Sequence, residues 1–118
     1  MILIVEDDAD IAVGLRALLM SEGATVRIAA SGSEALDETA RERPDVIVLD
    51  LQLPDGGGAQ TYEQISRRWP RLPVVFVSGA DDLGEIAHHL ANDYAAFLFK
   101  PFEFDQLLSA IEKVTSAR

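Results

Sequence analysis

Cysteine is absent from the 118 residues. Disulfides and thiolate metal sites are therefore excluded, and a cytosolic setting is favoured. Long apolar runs are missing too: every hydrophobic stretch falls short of the roughly 20 residues that a membrane-spanning helix needs. The amino end runs Met1-Ile2-Leu3-Ile4-Val5 straight into acid, without the basic start and small-residue cleavage site of a secretory signal. Positive charge is scarce. Twenty acidic side chains face ten Lys and Arg, a formal charge of −10 that repels nucleic acid and anionic membranes. Direct DNA binding and membrane association are not expected; proteins and cations are the expected partners. No repeat, linker or low-complexity tract interrupts the chain. With 48% hydrophobic and 25% charged residues, the composition fits one soluble globular domain over residues 1–118.

What is present is an alternation of short apolar runs and amphipathic segments. Val46-Ile47-Val48-Leu49 has no polar alternation, the pattern of a strand covered on both faces in a parallel sheet. Asp50 stands where that run stops, as a cap, an ion-pair partner or a working group at a strand's carboxyl end. Pro54 and Gly56-Gly57-Gly58 delay the next helix and argue against a simple cap. The other expected strands are residues 2–5, 25–29, 73–77 and 96–99. Helices are expected up to Glu22, with Ile11, Leu15, Leu18 and Leu19 at helical spacing and Gly23 as the stop. Four more follow: residues 31–43 with Ala35, Leu36 and Ala40 inward; 59–68 with Tyr62, Ile65 and Trp69; 83–91; and 104–114. Five strands alternating with five helices predict an α/β, doubly wound, five-stranded parallel sheet with helices on both faces.

That topology places Glu6, Asp7, Asp8, Asp50, Ser78 and Lys100 at one end of the sheet, each just after or at the end of a strand. Carboxylates crowded there repel by about 4 kcal/mol per pair at about 4 Å and an effective dielectric near 20. A hard cation held by oxygen ligands, with Lys100 as a fixed positive charge, would offset that repulsion, and few protein ligands plus waters suit Mg²⁺. Each residue alone has an ordinary structural explanation, such as acids favoured at a helix amino terminus. All of them converging on one edge is harder to explain that way.

The segments Ile-Val-Glu6-Asp7-Asp8, Val-Leu-Asp50-Leu-Gln-Leu-Pro54, Gly58, Val-Ser78-Gly79-Ala80 and Phe97-Leu-Phe-Lys100-Pro101-Phe102 carry a resemblance. In identity and spacing the chain resembles, end to end, a receiver domain of the two-component response-regulator family. The resemblance implies a flavodoxin-like strand order 2-1-3-4-5 with a crevice between the first and third strands. It implies that Asp50 accepts a phosphoryl group from a sensor histidine kinase or phosphotransfer protein. Asp7 and Asp50 would ligate Mg²⁺ directly, Glu6 through water, and the Gln52 backbone carbonyl would complete the set. Ser78 and Lys100 would contact phosphoryl oxygens, Ser78 and Phe97 would form the switch, and the bond before Pro101 would be cis. The signal would leave through the fourth helix, fifth strand and fifth helix, towards a downstream protein or effector domain, with homodimerisation on phosphorylation left open. Such a protein is a self-catalysed phosphoacceptor with slow autodephosphorylation at most, not a turnover enzyme.

Two positions depart from the family pattern. Asn92-Asp93-Tyr94-Ala95-Ala96 replaces the usual glycine-alanine before the fifth strand, with Asn able to take a left-handed conformation. Phe97 stands where tyrosine is frequent, leaving packing alone as the signal. His88-His89 reads as solvated helix surface, because neighbouring helix residues diverge. The triple glycine lacks the lysine of a phosphate-binding loop and reads as a turn. Among rival functions, a flavin-phosphate cradle conflicts with three consecutive acids, and an aspartate phosphatase would need a second carboxylate where Gln52 stands. A pseudo-receiver, a receiver module of a hybrid kinase and a stand-alone receiver remain alternatives.

Overall fold

The computed structural model describes residues 1–79 and 83–116. Five strands form one parallel sheet: β1 (Ile2–Val5), β2 (Val26–Ala29), β3 (Val46–Asp50), β4 (Val74–Ser78) and β5 (Ala95–Phe99), in the order β2-β1-β3-β4-β5. Between and after them run α1 (Ala9–Ser21), α2 (Gly32–Arg41), α3 (Gly58–Arg68), α4 (Leu83–Ile86) with a 3₁₀ segment (Ala87–Ala91), and α5 (Phe104–Thr115). The expected order of elements and the expected sheet are both found. Residues 80–82, which include Ala80 of the Ser-Gly-Ala motif, lie outside the described residues.

β3 and β4 are buried at every position, as strands sandwiched between two helical layers must be. Successive side chains alternate between the layers. Leu3, Val5, Ile47, Leu49, Val74 and Phe76 pack with Tyr62 and Ile65 of α3, Ala35 of α2 and Ile86 of α4. Val46, Val48, Val75 and Val77 meet Leu107, Ala110 and Val114 of α5, while Ile4 meets Ala12 and Leu19 of α1.

Some expectations change. Ile11 and Leu18 are exposed, since the inward stripe of α1 runs through Ala12, Leu15 and Leu19 instead. Late in α2 Thr39 is buried and Ala40 exposed; the Thr39 hydroxyl is satisfied there by donating to the Ala35 carbonyl at 2.9 Å. Trp69 is a packing residue, as expected: its indole N–H donates to the Thr39 carbonyl at 3.0 Å and ties α3 to α2. Asn92 is extended (φ −92°, ψ 142°), not left-handed, so the path into β5 needs no glycine substitute. The helix expected over 83–91 is one α-turn that tightens to 3₁₀; the Asn92 N–H closes it on the His89 carbonyl, three residues back.

Candidate functional site: an acidic crevice at the carboxyl end of the sheet

β1 and β3 are hydrogen-bonded neighbours with Val5 opposite Leu49, so Glu6 and Asp50 leave the sheet side by side. Both are buried, at 5% exposure each. Asp7, in the same turn, is exposed. One carboxylate oxygen from each of Glu6, Asp7 and Asp50 lies within 4.8 Å of the others, close enough to share one cation. The donors are all oxygen and one residue faces solvent, which fits a hard ion that keeps part of its water shell.

Lys100 enters from the end of β5. Its ammonium donates to Asp50 Oδ2 at 3.1 Å and to Glu6 Oε1 at 3.2 Å. Burial raises the Glu6 pKa above its ordinary value, opposed by the Asp8 N–H; the Asp50 charge raises it further and Lys100 lowers it. The Lys100 pKa is raised on balance: desolvation, the largest single effect, lowers it, but hydrogen bonds and charge attraction from Asp50 and Glu6 together outweigh that. Asp50 Oδ1 accepts the Gln52 N–H at 2.9 Å, which fixes the carboxylate's orientation. Glu6 Oε2 is fixed likewise by the Asp8 N–H at 3.1 Å.

Asp8 has a structural task. Its Oδ1 accepts the N–H groups of Asp10 and Ile11 at 3.0 and 3.1 Å and caps α1. Ser78 is fully buried at the end of β4, and its carbonyl accepts the Lys100 N–H at 2.9 Å, which binds the two residues' backbones at the crevice rim. Gln52 follows Asp50 by two residues with its side chain exposed. Phe97 lies further down β5, paired in register with Phe76, and packs half-buried on the core beside the sheet rather than in the crevice. The Lys100–Pro101 bond is cis.

Two residues gain roles that composition and periodicity do not disclose. Gly58 brings α3 so close to the end of β3 that a Cβ there would stand 2.3 Å from the Asp50 carbonyl oxygen and 2.8 Å from Leu51 Cα. Asp55 reaches across to α2, accepting the N–H groups of Gly32 and Ser33 at 3.0 and 3.1 Å. These bonds, Gly32's foremost, hold its pKa below the ordinary carboxylate value. The run from Pro54 to the triple glycine points at Gly58, but only the tertiary structure reveals Asp55. Beside the carboxylates an apolar cavity of about 440 Å³ opens between Ile11 and Leu15 of α1, Val48 and Val77 of the sheet, and Phe102. Its low polarity strengthens charge interactions at the crevice edge.

Known proteins match both the sequence and the architecture. The family model described as response regulator receiver domain matches residues 2–112. The response regulator MprA of Mycobacterium leprae is 34% identical over 110 residues, which are 93% of this chain and 48% of that protein. The DNA-binding transcriptional regulator NtrC of Escherichia coli strain K12 is 30% identical over 113 residues, 96% of this chain and 24% of that one. The chain thus spans about half the length of the former and a quarter of the latter. Among solved structures, the receiver domain of NtrX from Brucella abortus superposes with a TM-score of 0.88 at 28% identity, covering 100% of both chains. A CheY-like receiver domain protein from Methanospirillum hungatei gives 0.88 at 30% identity, over 97% of this chain and 91% of the other. The sheet order, the crevice of acids with its lysine, and a family match over nearly the whole length converge: this chain belongs to the response regulator receiver domain family.

Proposed function

We propose that the chain is a phosphoryl-accepting switch of a two-component phosphorelay, with Asp50 as the acceptor. The observation that carries this reading is the buried Asp50 carboxylate, held within reach of Glu6 and Asp7 on one side and of the Lys100 ammonium on the other. An Asp50 carboxylate oxygen attacks the phosphorus of a phosphohistidine on a sensor histidine kinase or phosphotransfer protein. The P–N bond breaks, its electron pair stays with the imidazole, and an acyl phosphate forms on Asp50. Lys100 offsets negative charge on the transferring group, and the Ser78 hydroxyl donates to a phosphoryl oxygen. Glu6, Asp7, Asp50 and the Gln52 carbonyl would hold Mg²⁺, which supplies further charge neutralisation when bound. The chain's own chemistry ends there, apart from slow loss of the phosphoryl group to water, so it is a phosphoacceptor rather than a turnover enzyme.

The output passes through Ser78 and Phe97 to the face formed by α4, β5 and α5, where a downstream protein, an attached effector domain or a second copy docks. This reading places the chain in the cytoplasm, with protein partners and no direct contact to nucleic acid or membrane. The complete set of Glu6, Asp7, Asp50, Ser78 and Lys100 favours it over a pseudo-receiver. Intact-mass measurement after incubation with acetyl phosphate and Mg²⁺ tests it: one phosphoryl group is expected on the wild type and none on Asp50→Asn. Equal labelling of the two proteins overturns the assignment.

A further inference from the structure

Among the described residues, a second set of metal-ligating atoms converges that shares no residue with the acidic crevice: Glu63, His88 and His89. Glu63 belongs to α3, and the histidines, the only two in the chain, are consecutive in the 3₁₀ segment. The sequence pattern predicts that they diverge. They do not. Nε2 of His88 lies 3.1 Å from Glu63 Oε1, and Nε2 of His89 lies 2.8 Å from the same oxygen. The ring centroids are 3.9 Å apart. His89 is held in place by its neighbours, edge-on to Tyr62 at 5.0 Å and 5.9 Å from Phe76, with 12% of its side chain exposed. His88 and Glu63 open to solvent at 64% and 47%.

We propose that Glu63, His88 and His89 form a binding site for a zinc-class transition ion that clips α3 to the 3₁₀ segment. Two imidazoles and one carboxylate select borderline ions such as Zn²⁺, Ni²⁺ and Cu²⁺ over Mg²⁺ and Ca²⁺, so this site and the all-oxygen crevice take different metals. With bonds of about 2.0–2.1 Å, ligand atoms on a tetrahedral Zn²⁺ stand about 3.3 Å apart. The carboxylate-to-imidazole separations therefore need to open by only a few tenths of an ångström. Both rings present Nε2, and neutral ligation places each ring's proton on Nδ1. The exposed side, by His88 and Glu63, leaves the fourth position to water. Two imidazoles packed this closely repel when both are protonated; as neutral ligands of one cation they are held together instead. The metal would replace the two imidazole–carboxylate contacts between α3 and the 3₁₀ segment with stronger metal–ligand bonds, next to the single α-turn of α4.

The test is calorimetric titration of the tag-free chain with ZnCl₂ in excess Mg²⁺, repeated on Asp7→Ala, Glu63→Gln and His88→Gln. One equivalent of Zn²⁺ is expected to bind wild type and Asp7→Ala alike. Affinity should fall by about tenfold or more in Glu63→Gln and in His88→Gln. Glu63 and His88 are exposed enough for these variants to fold, which the far-ultraviolet circular dichroism spectrum checks. Since the chain holds two histidines, long-range ¹H–¹⁵N spectra report both rings directly: Zn²⁺ should shift Nε2 of each, and amide exchange at residues 87–92 should slow. Binding that is lost in Asp7→Ala but kept in His88→Gln overturns the proposal, as does the absence of any Zn²⁺-dependent shift at the two rings. None of these readouts depends on phosphorylation of Asp50.

Discussion

With its ammonium 3.1 Å from Asp50 and 3.2 Å from Glu6, Lys100 offsets the repulsion between two buried carboxylates. Lys100→Met keeps the aliphatic stem and removes the charge. Breaking a fully buried pair costs about 3–5 kcal/mol, and the partial exposure of Lys100 reduces the expected loss to about 1–3 kcal/mol. Mg²⁺ should then stabilise the variant more than it stabilises the wild type, because each supplies positive charge to the same acids. Urea denaturation with and without Mg²⁺ measures this, and equal Mg²⁺ effects in the two proteins would contradict it. Asp55 gives a pH signature. Its folded pKa is depressed by the N–H groups of Gly32 and Ser33. Its contribution is therefore complete above the ordinary Asp pKa and disappears as pH falls from that value through the lower folded one. The stability gap between wild type and Asp55→Ala should be constant near neutrality and close in acid; a gap that widens on acidification would refute the assignment. Glu6, Asp50 and Lys100 were legible in the sequence because each ends or follows an apolar strand. Asp55 was not, since its partners lie 22 and 23 residues upstream and meet it only after α2 and α3 dock.

At the scale of elements, strands could be read almost to the residue, because burial on both faces leaves an uninterrupted apolar signature. Helix faces were less legible. Apolar residues on both sides of α1 offered two stripes, and only packing decided for Ala12, Leu15 and Leu19. The departure before β5 marked the end of the fourth helix as unusual, but its division into one turn and a 3₁₀ segment, where His88 and His89 meet Glu63 of another helix, was not legible locally. Two glycines make opposite predictions from the same substitution. Gly14 sits mid-α1, and a Cβ added there would have nothing within 4 Å, so Gly14→Ala should add about 0.5–1 kcal/mol of stability. At Gly58 the same methyl group meets Asp50 and Leu51 backbone that cannot rotate away. Gly58→Ala should cost about 2–3 kcal/mol and, by pushing on the Asp50 carbonyl, slow phosphorylation as well. Chemical denaturation of both variants reads the signs; a neutral Gly58→Ala would show that α3 can slide without disturbing β3.

For the molecule as a whole, phosphorylation puts a group of about 1.5 to 2 negative charges where the Asp50 carboxylate carried one, a net gain of about one at most in a chain with a formal −10. On the proposed reading Lys100, shared at present between Glu6 and Asp50, would gain the strongest new partner, and the Ser78 hydroxyl another. The Lys100 N–H is bonded to the Ser78 carbonyl, so the ends of β4 and β5 respond together. Phe97 packs half-buried against the core cluster that includes Ile86 of α4. Its ring has no hydroxyl to hold it at the surface, and a small gap between the two states is the expected consequence. Phe99, 4.8 Å from Phe97 and 59% exposed, stands on the face where a partner would sense the change. A beryllofluoride phosphoryl mimic with Mg²⁺ should therefore alter amide exchange and chemical shifts over residues 83–105, with the largest effects at 83–91. The register between β1 and β2 should stay unchanged. Perturbations confined to residues 50–58, with 83–105 silent, would show that the charge is absorbed within the crevice and that the α4, β5 and α5 face is not the output of this receiver.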